Sequence, residues 1–404
     1  MLSDFDLMRE LAKSNDRRIV LLVLDGLGGL PVAPGGPTEL EAARKPEMDR
    51  LASEGALGLT IPVRRGISPG SGPAHLALFG YDPLEHIVGR GVLEAVGVGV
   101  QVAAGDIAAR GNFCTLDSQG LIRDRRAGRI PSDKAAPLVE RLGRVKVAGA
   151  TFEARHVKEH RFALVARGQG LEADLDDTDP QATGVAPLPV RPRRPEAQAT
   201  AELFNRWIAA ATAELAKERE ANGLTLRGFS SDPRLPSMSS VFRVRPACVA
   251  VYPMYRGVSR LVGMEVLEVA GESPEDEFSA VRSAWETHDF FFIHIKKPDS
   301  RGEDGDFEAK VQAIEAVDRA LPALLDLQPD VLAITGDHST PARLKSHSWH
   351  PVPFLLWAPA TIRPDAARTF GERACASGGL GTFPAKEILP QLLAHAGRLE
   401  KFGA

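Results

Sequence analysis

The sequence predicts an α/β protein with a mostly parallel sheet flanked by helices and interrupted by an inserted α+β domain. Three observations predict it. Short, continuous apolar runs rich in β-branched and aromatic side chains recur towards both ends of the chain, as buried parallel strands do. Segments with helical spacing alternate with them. Between residues 95 and 247 this rhythm gives way to shorter apolar segments, an acidic turn and a Pro/Arg-rich stretch. The expected division is a core of residues 1–94 and 248–404 with an insertion of residues 95–247.

In chain order, residues 4–14 have the spacing of a first amphipathic helix, and Ile19–Leu24 reads as the first buried strand. It ends in Asp25-Gly26, where glycine lets the backbone turn away sharply. Residues 38–54 carry helical spacing and stop at Gly55. The loop Gly66–Gly72 leads into a helix expected from about Pro73, with the Ser71 hydroxyl exposed near its N-terminus, a position that favours an anion. The glycine-rich stretch Gly89–Gly99 does not match a dinucleotide-binding fingerprint. The insertion brings a long alanine-rich helix over 200–221 and several arginine clusters: Arg123, Arg125, Arg126 and Arg129, then Arg191, Arg193 and Arg194, and Arg227. Most of these are solvated surface charge, and one or two suit bidentate capture of a carboxylate or phosphate. Strands then follow over Ala247–Tyr252, Phe290–Ile295, Val331–Ile334 and Pro353–Trp357, with helices over 307–325 and 385–399.

Composition excludes several classes. With 44% hydrophobic and 25% charged residues the chain is an ordinary globular protein, long enough at 404 residues for two or three domains. A formal net charge of −4 argues against general binding of nucleic acid or an anionic membrane. No apolar run reaches the ~18 residues of a membrane span, and the first residues lack the basic-then-apolar order of a signal peptide. The three cysteines form no CxxC and suggest neither a disulfide framework nor a thiolate zinc site. A cytoplasmic location is expected, with a small molecule as partner and self-association into a homo-oligomer left open.

Three strand ends carry the candidate chemistry. Asp25, Asp299 and Asp337-His338 each follow a buried run that should share one sheet, and ligands of open α/β sheets bind at the carboxyl ends of strands. Ser71 precedes a helix of the same core, and His347 follows the third run. Taken singly, Asp25 also reads as a helix cap, Ser71 as an N-cap serine, and the histidines as incidental polar residues of a loop. Together they supply enough oxygen and nitrogen donors for two divalent metals ~3.5–4 Å apart, the arrangement that clamps an in-line phosphoryl transfer.

The motifs Leu24-Asp25-Gly26, Ser68-Pro69-Gly70-Ser71 with His75, Phe79-Gly80-Tyr81-Asp82-Pro83, Gly89-Arg90-Gly91 with Glu94-Ala95, His294-Ile295-Lys296-Lys297 with Asp299, Gly336–Pro341 and His347-Ser348 resemble a known family. They are similar to those of the 2,3-bisphosphoglycerate-independent phosphoglycerate mutases, archaeal-type branch, within the alkaline phosphatase superfamily. The resemblance runs end to end and is weakest in the insertion. It implies an alkaline phosphatase-like core and interconversion of 3-phosphoglycerate and 2-phosphoglycerate through a phosphorylated Ser71. It implies one metal on Asp25, Ser71, Asp337 and His338, and another on Asp299, Glu303 and His347. The cations implied are two Mn²⁺, with Mg²⁺, Co²⁺ or Zn²⁺ as alternatives, and no 2,3-bisphosphoglycerate. It further implies that the insertion acts as a lid, with Arg125, Arg129, Arg227 and Arg256 as candidates for gripping the phosphoglycerate. The chain departs from the family at Glu303, where relatives commonly carry histidine, at Gly72, where many carry aspartate, and at His350, where Asp or Asn is expected. The competing expectations are a metal-dependent phosphatase or other phosphotransferase of the same superfamily, and a non-catalytic binding protein deficient in metal.

Overall fold

A computed structural model of the protein describes residues 3–403. The chain divides into two compact units, one of Met1–Ile87 with Leu235–Ala404 and one of Val88–Arg234. The divisions fall elsewhere than the expected 94/95 and 247/248. Position 94/95 lies inside a helix, Arg90–Gly97, and position 247/248 lies inside a strand, Pro246–Ala250. That helix belongs with the insertion because Gly91 lies against the backbone of Ala108, where an added Cβ would stand 2.3 Å from the carbonyl oxygen.

The strands in chain order are β1 (Ile19–Leu24) and β2 (Ala56–Ile61) of the first unit. Those of the second are β3 (Ile107–Leu116), β4 (Ile122–Asp124), β5 (Thr151–Lys158), β6 (Arg161–Arg167) and β7 (Gly223–Ser230). The first unit resumes with β8 (Pro246–Ala250), β9 (Glu265–Val266), β10 (Phe290–Ile295), β11 (Val331–Thr335), β12 (Val352–Trp357) and β13 (Gly381–Pro384).

The first unit is built on an eight-stranded sheet in the order β13-β2-β12-β11-β1-β10-β8-β9. β1 pairs in parallel with both β10 and β11, and only β12 runs against the rest. Every residue of β1 and β10 is buried, which explains why these strands read as unbroken apolar runs. One face holds Val20, Leu22 and Leu24 against the helices Pro46–Glu54, Pro274–Ala284 and Phe307–Leu325. On the other face Phe292 packs edge-on against Phe79 at 4.8 Å, and His294 stacks on Tyr255 of the Pro253–Leu261 helix at 3.6 Å. Each fully buried Leu or Phe contributes about 2 kcal/mol through removal from water.

Several local expectations shift. The helix expected over 38–54 is two, Glu39–Ala42 and Pro46–Glu54, because Pro46 lacks an amide hydrogen and starts the second. The helix expected from Pro73 begins at Ser71 itself. Asp299, expected beyond the strand Phe290–Ile295, lies in the helix Lys297–Asp304.

The second unit is a five-stranded antiparallel sheet with β3 between β6 and β7. The helices Ser132–Leu142 and Gln198–Leu215 share a hydrophobic core with its strands, including Phe152, Phe162, Phe204 and Trp207. Among the described residues no helix is long and apolar enough to cross a membrane.

Candidate active site

The parallel register of β1, β10 and β11 ends these strands side by side, and the residues beyond them meet. Asp25 directly follows β1, Asp299 lies in the helix after β10, and Asp337-His338 follow β11. His338 Nε2 lies 3.4 Å from Asp25 Oδ1 and 3.1 Å from Asp337 Oδ2, and all three side chains are fully buried. Ser71 Oγ is 3.5 Å from the same nitrogen. His347 Nε2 is 3.7 Å from Asp299 Oδ1 and 4.0 Å from Glu303 Oε1, and its ring stacks on His338 at 3.6 Å.

Two sets of donor atoms converge within 4.8 Å, one of Asp25, Asp337 and His338, the other of Asp299, His338 and His347. His338 therefore faces both sets, whereas sequence reasoning assigned it to one. Glu303 stands at the margin, 55% exposed, outside the tight second set. His350 joins neither set, and its Nδ1 lies 3.0 Å from Ser348 Oγ. Gly72 is a buried helix residue.

Hydrogen bonds fix the tautomers. His347 Nδ1 lies 3.0 Å from the Pro69 carbonyl, which can only accept, so Nδ1 carries the proton. Thr340 Oγ1 donates to Asp299 Oδ1 at 2.6 Å and therefore accepts from His338 Nδ1 at 3.0 Å. Both imidazoles thus turn Nε2 towards carboxylates. Asp25 Oδ1 and Asp337 Oδ2 are buried without a hydrogen-bond partner, and both face His338 Nε2. Two buried carboxylate oxygens without a partner thus converge with an imidazole nitrogen, and a divalent cation would satisfy all three. The residues present fit such an ion.

The carboxylates titrate in opposite directions. Burial opposes ionisation of Asp25, but Lys296, His294 and His338 outweigh it and hold its carboxyl well below the usual range. Burial, then the charges of Asp25 and Asp299, push Asp337 well above it. Burial drives His338 well below its ordinary value, so it is neutral. His75 is pushed down to about 3 by burial and His294, and its Nδ1–H donates to the Ser71 carbonyl at 2.8 Å.

Sequence reasoning gave no role to the residues that brace this centre. Tyr255 donates to Asp25 Oδ2 at 2.5 Å, and Lys296 bonds the same oxygen at 2.9 Å. Lys310, fully buried, donates to the carbonyls of Gly26, Gly28 and Thr340. A usable signal existed for Lys296, because it and His294 are the polar residues at the end of an otherwise apolar run.

The expected substrate arginines fall in both units. In the second, Arg125 grips Asp179 with two bonds of 3.1 and 2.8 Å, and Arg227 approaches the same carboxylate at 3.5 Å. Arg129 is exposed there, at a positive φ of 53°. In the first unit Arg256 pairs with Glu268 at 3.0 Å.

A mostly parallel α/β sheet whose carboxyl edge gathers carboxylates, imidazoles and a serine hydroxyl defines the class of α/β protein with a candidate metal centre at its strand ends that was expected from sequence. Comparison with known proteins narrows it. Residues 52–221 match the family model described as 2,3-bisphosphoglycerate-independent phosphoglycerate mutase. A Thermus thermophilus protein named as a probable mutase of this kind is 50% identical over 99% of both chains. Another, from Deinococcus radiodurans, is 48% identical over 99% of this chain and 99% of its own. Among solved structures, a Pyrococcus horikoshii protein superposes with a TM-score of 0.84 at 30% identity, covering 96% of this chain and 99% of that one. The cofactor-independent phosphoglycerate mutase of Thermoplasma acidophilum gives 0.73 at 31%, over 94% and 100%. The chain belongs to the 2,3-bisphosphoglycerate-independent phosphoglycerate mutase family.

Proposed function

We propose that this protein interconverts 3-phosphoglycerate and 2-phosphoglycerate through a phosphoserine at Ser71, with two divalent cations, Mn²⁺ foremost, and without 2,3-bisphosphoglycerate. The observation that carries the reading is Ser71 Oγ at 3.5 Å from His338 Nε2, beside two buried carboxylate oxygens that lack any hydrogen-bond partner. Asp25, Ser71, Asp337 and His338 would hold one cation, and Asp299, Glu303 and His347 the other, with His338 within reach of both. Bound cations supply a lowered pKa for the serine hydroxyl and neutralisation of the phosphoryl oxygens. A set mixing carboxylates with imidazoles suits Mn²⁺, and a carboxylate at Glu303 strengthens that preference.

The protein's own groups do the remaining work. Ser71 is the first residue of its helix, so its hydroxyl sits at the positive end of the helix dipole, where a phosphoryl group is favoured. His75 anchors the backbone of the nucleophile through the Ser71 carbonyl. Arg125, Arg129, Arg227 and Arg256 are assigned to the carboxylate and phosphate of the substrate, for which the planar guanidinium is suited. A cytoplasmic location accords with this activity.

The test is conversion of 3-phosphoglycerate in protein stripped of metal and in protein resupplied with Mn²⁺, with no 2,3-bisphosphoglycerate added. Formation of 2-phosphoglycerate only with metal is the expected result. Release of inorganic phosphate without isomerisation would move the protein to the phosphatases of the same superfamily.

A further inference from the structure

Lys296 follows β10 directly and precedes the helix that carries Asp299. Its Nζ lies 2.9 Å from Asp25 Oδ2 and 2.5 Å from Asp299 Oδ2, with the Tyr255 hydroxyl at 3.4 Å. The two carboxylates it touches belong to different donor sets. In each it occupies Oδ2 and leaves Oδ1 turned to an imidazole, Asp25 Oδ1 to His338 at 3.4 Å and Asp299 Oδ1 to His347 at 3.7 Å. The lysine side chain is 23% exposed, whereas its partners are 0% and 2% exposed. Among the described residues it is the one lysine or arginine within ion-pair distance of Asp25, Asp299, Asp337 or Glu303.

From this geometry we infer that Lys296 is a resident counter-ion of the centre, a positioning residue that ties the two donor sets together and competes with divalent cations for the same two carboxylates. The inference rests on the metal-centre reading above. Asp25 and Asp299 repel one another when no metal is bound, and an ammonium held between the two offsets that repulsion. The same charge repels an arriving cation. Lys296 therefore stabilises the metal-free protein and weakens the grip on metal, keeping the cations exchangeable. It also restricts Asp25 and Asp299 to one oxygen each for ligation. A lysine that served only to fill space would do neither.

Lys296→Met keeps the chain length and removes the charge, and Lys296→Arg keeps the charge. Each variant and the parent protein would be stripped with a chelator, melted, and titrated with Mn²⁺ by calorimetry. In Lys296→Met the stripped protein is expected to melt about 5 °C lower. Its Mn²⁺ affinity is expected to rise about tenfold. Lys296→Arg is expected to stay close to the parent in both. Unchanged or weaker Mn²⁺ binding in Lys296→Met would overturn the inference, as would an arginine variant that shifts as far as the methionine one. If stripped Lys296→Met does not stay folded, it is purified with Mn²⁺ and its rate of metal loss to a chelator is compared with the parent. Slower loss supports the counter-ion, and equal or faster loss overturns it. Failure of the parent protein to bind any divalent cation would overturn the metal centre itself and this inference with it, a result distinct from failure in the variant alone.

Discussion

Lys310 Nζ donates to the Gly26 carbonyl oxygen at 2.8 Å from a side chain with no exposure to water. The same ammonium reaches Gly28 O at 3.0 Å and Thr340 O at 2.8 Å, so one buried charge ties the turn after Asp25 to the loop after His338. Gly26 sits at φ +63°, and an added Cβ would lie 2.6 Å from Thr340 Oγ1, so the two loops can meet this closely only over glycine. Lys310→Met would remove a donor from three buried carbonyls, of which Gly26 O and Gly28 O keep the Thr340 amide at 3.2 and 3.0 Å, and is expected to cost about 2–3 kcal/mol of stability. Chemical denaturation measures the loss, and Mn²⁺ affinity should fall with it because Asp25 and His338 lose their common anchor.

Ser71 makes a sharper case because its role in the fold is slight. It opens the helix Ser71–Leu78 without serving as its cap, and the capping position is Gly70, with no side-chain hydrogen bond. Ser71→Ala should therefore change stability by no more than about 0.5 kcal/mol. Mutase turnover should fall at least a thousandfold, on the order seen when a nucleophile is removed. Intact mass after incubation with 3-phosphoglycerate should show a phosphorylated parent protein and an unmodified variant. A variant that still isomerises at near-parent rate removes Ser71 from the mechanism.

Much of this arrangement was legible in the sequence. The unbroken apolar runs of β1, β10 and β11 announced buried parallel strands, and the helix Phe307–Leu325 has the limits its spacing predicted. Asp25, Asp299, Asp337 and His338 were readable as strand-end residues because period and burial alone place them at one sheet edge. What was not readable depends on contacts across the chain. Tyr255 and Lys296 meet Asp25 over 230 and 271 residues, and no local pattern reports such a meeting. The position of His338 between both donor sets depends on strand register and ring orientation. The strand β12 was visible over Pro353–Trp357 but its antiparallel sense was not, and the short strands β2 and β13, the latter at the sheet edge, were not foreseen because they lack a long apolar run.

His347 separates the two donor sets by experiment. It touches Asp299 and Glu303 and makes no contact with Asp25 or Asp337 among the described ion pairs. His347→Ala should lower bound Mn²⁺ from about two equivalents to about one and reduce turnover roughly a hundredfold. Elemental analysis of the purified variant reads the first and the coupled mutase assay the second. A variant that retains both equivalents would assign the second cation to other residues.

A last prediction concerns a carboxyl away from the centre. Glu277, on the Pro274–Ala284 helix, is 1% exposed, and its Oε2 has no hydrogen-bond partner. Burial pushes its carboxyl up to about 9, with Lys297 pulling against it. The sign follows from linkage: between the ordinary glutamate value near 4.5 and about 9, the unfolded chain has released the proton while the folded one keeps it. The folded state therefore holds more protons in that window, and this group's contribution is complete below pH 4.5 and shrinks as pH rises towards 9. Between pH 6 and 8 the decline amounts to about 3 kcal/mol as an order of magnitude. Glu277→Gln keeps the volume and carries no charge at any pH. Denaturation of both proteins from pH 5 to 9 should show the variant gaining on the parent steadily and exceeding it at the alkaline end. Parallel stability curves would mean that Glu277 ionises in the folded protein as it does in water.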